Sequence, residues 1–153
     1  MKPYTLPANE TRKAIESIGG PMRVLVGAED SARTISVVES RLDEPGGPPL
    51  HIHEEMDEII MVIEGGPLTV MIGTERRLLH KGELAFAPRG TPHAFNNLSG
   101  RPLVMLGIVT PGGIEKELHE QAVYFNSLRG APDPAKIAEI WGPKSPIVGP
   151  PIT

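Results

Sequence analysis

From about residue 10 to residue 110, glycine- and proline-rich turn signals break the chain roughly every ten residues, and this interval limits the fold more than any other feature. Gly19-Gly20-Pro21, Pro45-Gly46-Gly47-Pro48-Pro49, Gly65-Gly66-Pro67, Gly73-Thr74, Lys81-Gly82 and Pro88-Arg89-Gly90-Thr91-Pro92 leave only short segments between them. Those segments read as strands: Met22 to Val26, Thr34 to Leu42, Ile59 to Ile63, Leu68 to Ile72, Arg76 to His80, Leu84 to Ala87, His93 to Asn97 and Leu103 to Thr110. Thr34, Ile35, Val37 and Val38 are β-branched, the residue type that suits a pleated surface. Many short strands with regular turns predict an all-β sandwich or barrel rather than alternating β and α units.

The ends read differently. Pro3 and Pro7 keep the first ten residues in an irregular arm. After residue 110 a helix is expected over Ile114 to Val123. A second should follow the N-cap and first-turn pair Asp133-Pro134, with Ile137, Ile140 and Trp141 on one face. Pro143 to Thr153 reads as extended. The expectation is one domain over residues 1–153, with a barrel core at about 12–110 and a tail at about 111–153.

The 153 residues are 39% apolar and 22% charged, which fits one globular domain with a buried core. Cysteine is absent, which excludes disulfides, thiolate metal sites and cysteine nucleophiles. The formal charge of −4 argues against nucleic acid or an anionic membrane as the main partner. No apolar run is long enough to span a bilayer, Met1 to Pro7 lacks the apolar core of a secretory signal, and the cytoplasm is the expected compartment. Phosphate-loop, dinucleotide-binding and nucleophile-elbow motifs are all missing.

The chemistry is concentrated in His51, His53, Glu58 and His93. Residues two apart on a strand project from the same face, with Cα atoms roughly 6.6 Å apart, so His51 and His53 can converge on one ion. Glu58 follows the acidic bend Glu54 to Asp57 and can swing a carboxylate to the same point. His93, beyond the Pro88 to Pro92 turn, has to return on another strand. Three neutral imidazoles and one carboxylate leave a divalent ion with net positive charge and open positions. Asp57 could replace Glu58, but the parity of the following strand favours Glu58. Ile60 and Val62 share the face of Glu58, and Phe95 and Asn97 that of His93, so these four are expected to line the same cavity. His80 and His119 are expected at the surface, and Trp141 as the anchor of the second helix. Ile59, Met61 and Ile63 make the opposite face of their strand apolar too, so the tail helices or a second subunit should cover it.

This pattern resembles the cupin superfamily in its small single-domain form. Its first motif, G-x5-H-x-H-x(3–4)-E-x6-G, is matched by His51, His53, Glu58 and Gly65. The leading glycine departs, because Pro45 holds its place and Gly46 follows. Its second motif, G-x5-P-x-G-x2-H-x3-N, is met in full by Gly82, Pro88, Gly90, His93 and Asn97. The resemblance implies a two-sheet β-barrel (a double-stranded β-helix or jelly roll) with short C-terminal helices and a metal inside it. Pro111-Gly112-Gly113-Ile114-Glu115 and Val148-Gly149-Pro150-Pro151 add a narrower likeness to small cupins described as quercetin-dioxygenase-like.

The resulting expectation is one divalent transition-metal ion (Fe, Ni, Mn, Zn or Cu) and dioxygenase-type chemistry on a small organic substrate, carried by a homodimer. By resemblance to flavonol-cleaving cupins, Glu58 is both a ligand and the acceptor of a substrate hydroxyl proton. Two other readings stay open: metal-dependent isomerase or lyase chemistry without O₂, and a cupin that binds a small ligand or a metal without catalysis.

Overall fold

The structure is a computed structural model of the chain. The structure describes residues 3–6, 14–17, 20–43, 45–129 and 133–153. Much of the expected N-terminal arm, and the expected start of the barrel at residue 12, lie outside the described residues.

Eleven strands and two helices follow one another among these residues. They are β1 (Ile15–Ser17), β2 (Gly20–Val26), β3 (Ser36–Leu42), β4 (Pro49–His51), β5 (Asp57–Gly65), β6 (Leu68–Ile72), β7 (Glu75–Leu79), β8 (Leu84–Ala87), β9 (His93–Asn96), β10 (Leu103–Thr110), α1 (Glu115–Ser127), α2 (Pro134–Trp141) and β11 (Ile147–Pro151). They form a six-stranded sheet, β1-β2-β3-β10-β5-β8, and a five-stranded sheet, β11-β4-β9-β6-β7. The pairings within both sheets are antiparallel. The expected all-β architecture is therefore present, and the extended tail adds a strand to the second sheet beside β4.

Alternation along the strands sets the two sheets against each other. Leu42, Ile60, Val62, Leu103 and Met105 from the first sheet meet Leu68, Val70 and Leu79 from the second in one buried cluster. This cluster fills one end of the sandwich. Toward the other end Met22, Val38 and Val109 pack with Met56 and with Ile114 and Ala122, which lie at and within α1.

Helix α1 runs a full turn beyond the expected Val123, because no glycine or proline interrupts the chain before Ser127. Ile114, Glu117, Leu118 and Gln121 fall at i, i+3, i+4 and i+7, which turns one face toward the sandwich. Helix α2 starts as expected: the Asp133 carboxylate accepts the Ala135 N–H at 2.9 Å, and Pro134 takes the first turn. Gly142 ends it.

The outer face of the six-stranded sheet stays apolar. Phe86 pairs with Ile59 and Leu84 with Met61, and Phe86 and Leu84 are 52% and 53% exposed. The tail helices do not cover them. Instead α1 packs against β1 and α2, at the open end of the sandwich.

Candidate metal centre

His51, His53, Glu58 and His93 offer donor atoms that all lie within 4.8 Å of one another, and all four residues are buried. Sheet register explains the meeting. His51 and His93 are direct partners across β4 and β9. Glu58 sits on β5 in the opposite sheet, between Val109 and Ala87. The centre thus bridges the two sheets. Strand β4 ends at His51, so His53 lies in the loop beyond it rather than on the strand as expected. Hydrogen bonds hold that loop in place. The Gly90 N–H donates to the His53 carbonyl at 2.8 Å, which ties the second motif to the first. The Ile52 and Glu54 N–H groups donate to the carbonyls of Pro146 and Lys144 in the tail.

The imidazole protons are assigned by their partners. His51 Nδ1 faces the Pro49 carbonyl at 2.9 Å, and His93 Nδ1 faces the Thr91 carbonyl at 2.8 Å. A carbonyl only accepts, so both Nδ1 atoms carry hydrogen. His53 Nδ1 lies 3.0 Å from Ser145 Oγ, and that hydroxyl donates to Glu117 Oε2 at 3.0 Å. Ser145 then accepts from His53 Nδ1–H. All three Nε2 atoms are left facing the space shared with Glu58: His51 Nε2 to His53 Nε2 is 3.3 Å, His93 Nε2 to Glu58 Oε2 is 3.0 Å, and His53 Nε2 to Glu58 Oε2 is 3.3 Å. Donors about 2.1 Å from an ion at right angles stand ~3.0 Å apart. The spacing and chemistry of the four donors fit a divalent transition metal.

Burial, followed by the neighbouring His93 and His53 rings, lowers the His51 pKa to about 3, so this ring presents a lone pair at neutral pH. Burial pushes the Glu58 carboxyl up, but hydrogen bonds from His53 and His93 and their charge reverse this and hold it below the usual range. In His93 burial acts downward and the Glu58 carboxylate more than offsets it, leaving its pKa above the ordinary value.

Next to the donors lies a cavity of about 100 Å³, several times what one water needs. Its polar end is His51, His53 and Glu58, and its walls include Met22, Val38, Leu42, Phe95 and Met105. Gly107 also borders it. A Cβ there would stand 3.6 Å from Glu58 Oε1, an ordinary contact distance.

Of the four expected wall residues, Phe95 alone borders this cavity. Ile60 and Val62 point inward but belong to the packed cluster at the far end, because each two-residue step along β5 moves roughly 6.6 Å away from Glu58. Asn97 lies past the end of β9, so strand parity does not reach it. Its amide N–H donates to the carbonyls of Leu42 and Arg101, and its oxygen accepts from Ser99, which fixes the loop into β10. Asp57 turns away from the centre and binds Arg89 through both carboxylate oxygens. His80 and His119 are exposed.

The sequence reading missed Glu117, Gln121 and Ser145, and underrated Trp141. Glu117, Gln121 and Trp141 border the cavity, and Ser145 is fully buried behind His53. The Trp141 ring stands edge-on to His51, 4.3 Å between centroids. One available signal was the pair of polar residues, Glu117 and Gln121, on the apolar stripe of α1.

Comparison with known proteins agrees with this arrangement. The family model described as Cupin domain matches residues 39–110, which include all four donors. Over 53 residues, 35% of this chain, the sequence is 42% identical to quercetin 2,3-dioxygenase of Bacillus subtilis (strain 168), of which the match spans 15%. The structure of KdgF from Halomonas sp. superposes with a TM-score of 0.62 at 19% identity, covering 74% of this chain and 98% of that one. The polyketide cyclase RemF from Streptomyces resistomycificus superposes with a TM-score of 0.57 at 25% identity, covering 72% and 79%. With a two-sheet antiparallel barrel, a matching family model and the His-His-Glu-His cluster within it, the chain belongs to the cupin superfamily.

Proposed function

We propose that this protein is a mononuclear metal-dependent oxygenase of the dioxygenase type, acting on a small organic substrate. One observation carries the proposal: four buried donors, each imidazole turned by its Nδ1 partner, converge where an apolar cavity begins. The partial match to quercetin 2,3-dioxygenase supports the oxidative reading. His51, His53, Glu58 and His93 would hold the ion. When bound, a divalent transition metal supplies Lewis acidity and, if redox-active, electron exchange with O₂. The apolar walls exclude water and orient the substrate. Glu58, kept ionised at neutral pH, is positioned to take a proton from a substrate hydroxyl.

The test is elemental analysis of the purified protein with His51→Ala and His93→Ala, alongside O₂ consumption over flavonols, catechols and diketones. One equivalent of metal in the wild type, its loss in both variants and O₂ uptake with a member of the panel are expected. Full metal content in either variant refutes the ligand set, and no uptake across the panel refutes the oxygenase assignment.

A second reading draws on the 25% identity to a polyketide cyclase: Lewis-acid chemistry at the same centre without O₂. Turnover unaffected by strict exclusion of O₂ would select it. We also propose a cytoplasmic homodimer. Among the described residues, no helix is long and apolar enough to cross a membrane. The apolar outer face around Ile59, Met61, Leu84 and Phe86 supplies an interface for a second copy. Phe86→Glu should convert a dimer to a monomer by light scattering, and a monomeric wild type removes this part.

A further inference from the structure

Helix α1 brings two polar side chains, Glu117 and Gln121, to the wall of the cavity one helical turn apart. The Glu117 carboxyl is tethered inward. Its Oε2 accepts from Ser145 Oγ at 3.0 Å, and that wholly buried hydroxyl stands 3.0 Å from His53 Nδ1. The carboxyl therefore lies one hydroxyl away from the metal centre. Its second oxygen has no hydrogen-bond partner among the described residues. Gln121 is 6% exposed, and its amide also bonds to no described group. Neither residue is sealed off. Among the described residues, the Trp141 indole nitrogen is the one unpartnered side-chain polar atom that no water-sized molecule reaches. The free Glu117 oxygen and both Gln121 amide atoms thus keep accessible surface, on side chains that border the cavity.

These two groups are complementary to one kind of partner. A carboxylate accepts hydrogen bonds, an amide N–H donates them, and a hydroxyl does both. Burial pushes the Glu117 carboxyl up, and the Ser145 bond offsets this only in part, so a second donor would relieve an under-compensated acid. Neither lysine nor arginine borders the cavity, and an anion would meet the carboxylates of Glu58 and Glu117 without a cationic side chain. A cation would meet the net positive charge that a divalent ion leaves on the centre. The other walls are mainly apolar, among them Met22, Val38, Phe95 and Met105.

We infer that Glu117 and Gln121 form a hydroxyl-recognising subsite, Glu117 accepting the hydroxyl proton and Gln121 donating to its oxygen, for an uncharged and mostly apolar ligand. The inference deepens the metal-centre reading above and rests on it for taking the cavity as the ligand's place. It assigns ligand selection to the tail, since both residues lie outside the segment matched by the family model, residues 39–110.

The test compares phenol with anisole, the same ring with its hydroxyl capped by a methyl group. Full-length wild type, Glu117→Leu and Gln121→Leu, each metal-free and zinc-incubated, are titrated by NMR. A cavity offering apolar contact alone would prefer anisole, the more apolar of the two. The wild type should instead bind phenol about five- to tenfold more tightly in both metal states. Glu117→Leu should abolish this preference, and Gln121→Leu should reduce it about threefold or more, with anisole affinity within about twofold of wild type in both. Benzoate should bind the metal-free wild type at least about tenfold more weakly than phenol. A wild type that binds anisole as tightly as phenol, or a preference unchanged in either variant, overturns the subsite. Benzoate binding more tightly than phenol overturns the ligand class. A wild type that takes up no zinc sinks the metal-centre reading, whereas a Glu117-dependent phenol preference in the metal-free protein leaves the subsite standing.

Discussion

Ser145→Ala removes one oxygen from a fully buried position and should weaken metal binding without touching a metal ligand. In the wild type Ser145 Oγ stands 3.0 Å from His53 Nδ1 and 3.0 Å from Glu117 Oε2. Its loss strands the His53 N–H without an acceptor and deprives the Glu117 carboxylate of a donor. The His53 ring then loses the contact that fixes both its tautomer and its rotation. Partners of this kind are worth about 10–100-fold in metal affinity, or ~1.4–2.8 kcal/mol. Competition against a chelator of known affinity, with zinc and cobalt, measures the change directly. Ser127→Ala, on the exposed end of α1, is the control, since its hydroxyl only meets the Tyr124 carbonyl. An affinity for Ser145→Ala within twofold of wild type would show that packing alone orients His53, and the relay would lose its role.

Three further outcomes test other parts of the structure. Glu115 accepts hydrogen bonds from the Ala28 N–H and the Ser36 hydroxyl, both at 2.7 Å; burial pushes its carboxyl up, and these bonds bring it below its ordinary value of 4.5. A depressed acid stabilises the fold above its unfolded pKa and loses that contribution as pH falls through the folded value, so the stability gap between wild type and Glu115→Gln should be full above about pH 5 and close below 4.5, by urea titration; a gap independent of pH refutes the coupling. Gly47→Ala would place a Cβ 1.9 Å from the Phe95 carbonyl oxygen, and the resulting backbone shift should cost about 1–3 kcal/mol in chemical denaturation; wild-type stability would show that this loop yields freely. Leu68→Ala, at a fully buried position in the cluster remote from the centre, should cost about 2–5 kcal/mol yet leave metal affinity unchanged, and a parallel loss of affinity would contradict the separation of the two ends.

The strands and the cluster of four donors were legible for the same reason: both depend on local pattern. β10 occupies the expected Leu103–Thr110 because turn residues bracket an apolar run. The two histidines, the glutamate and the returning histidine kept their motif spacing, so the donor set could be named before its geometry was known. Reading failed where distance along a strand or across the chain decides the outcome. Parity placed Ile60 and Val62 on the inner face but could not say how far from Glu58 the cavity ends. Asn97 continued the count of β9 one residue past the strand, where side-chain bonds to Leu42 and Arg101 take over. Ser145 stands between a lysine and a proline in a segment without periodicity, and only tertiary contact reveals that it supports His53.

The contact between Ser145 and His53 spans 92 residues of sequence. Closing so wide a loop costs chain entropy, and contacts this distant in sequence slow folding. A nascent barrel can gather His51, Glu58 and His93 while His53 still turns freely, so early metal capture should be weak and readily exchanged. On the proposed metal reading, retention should tighten when the tail docks, and the dissociation rate of the ion should report that step.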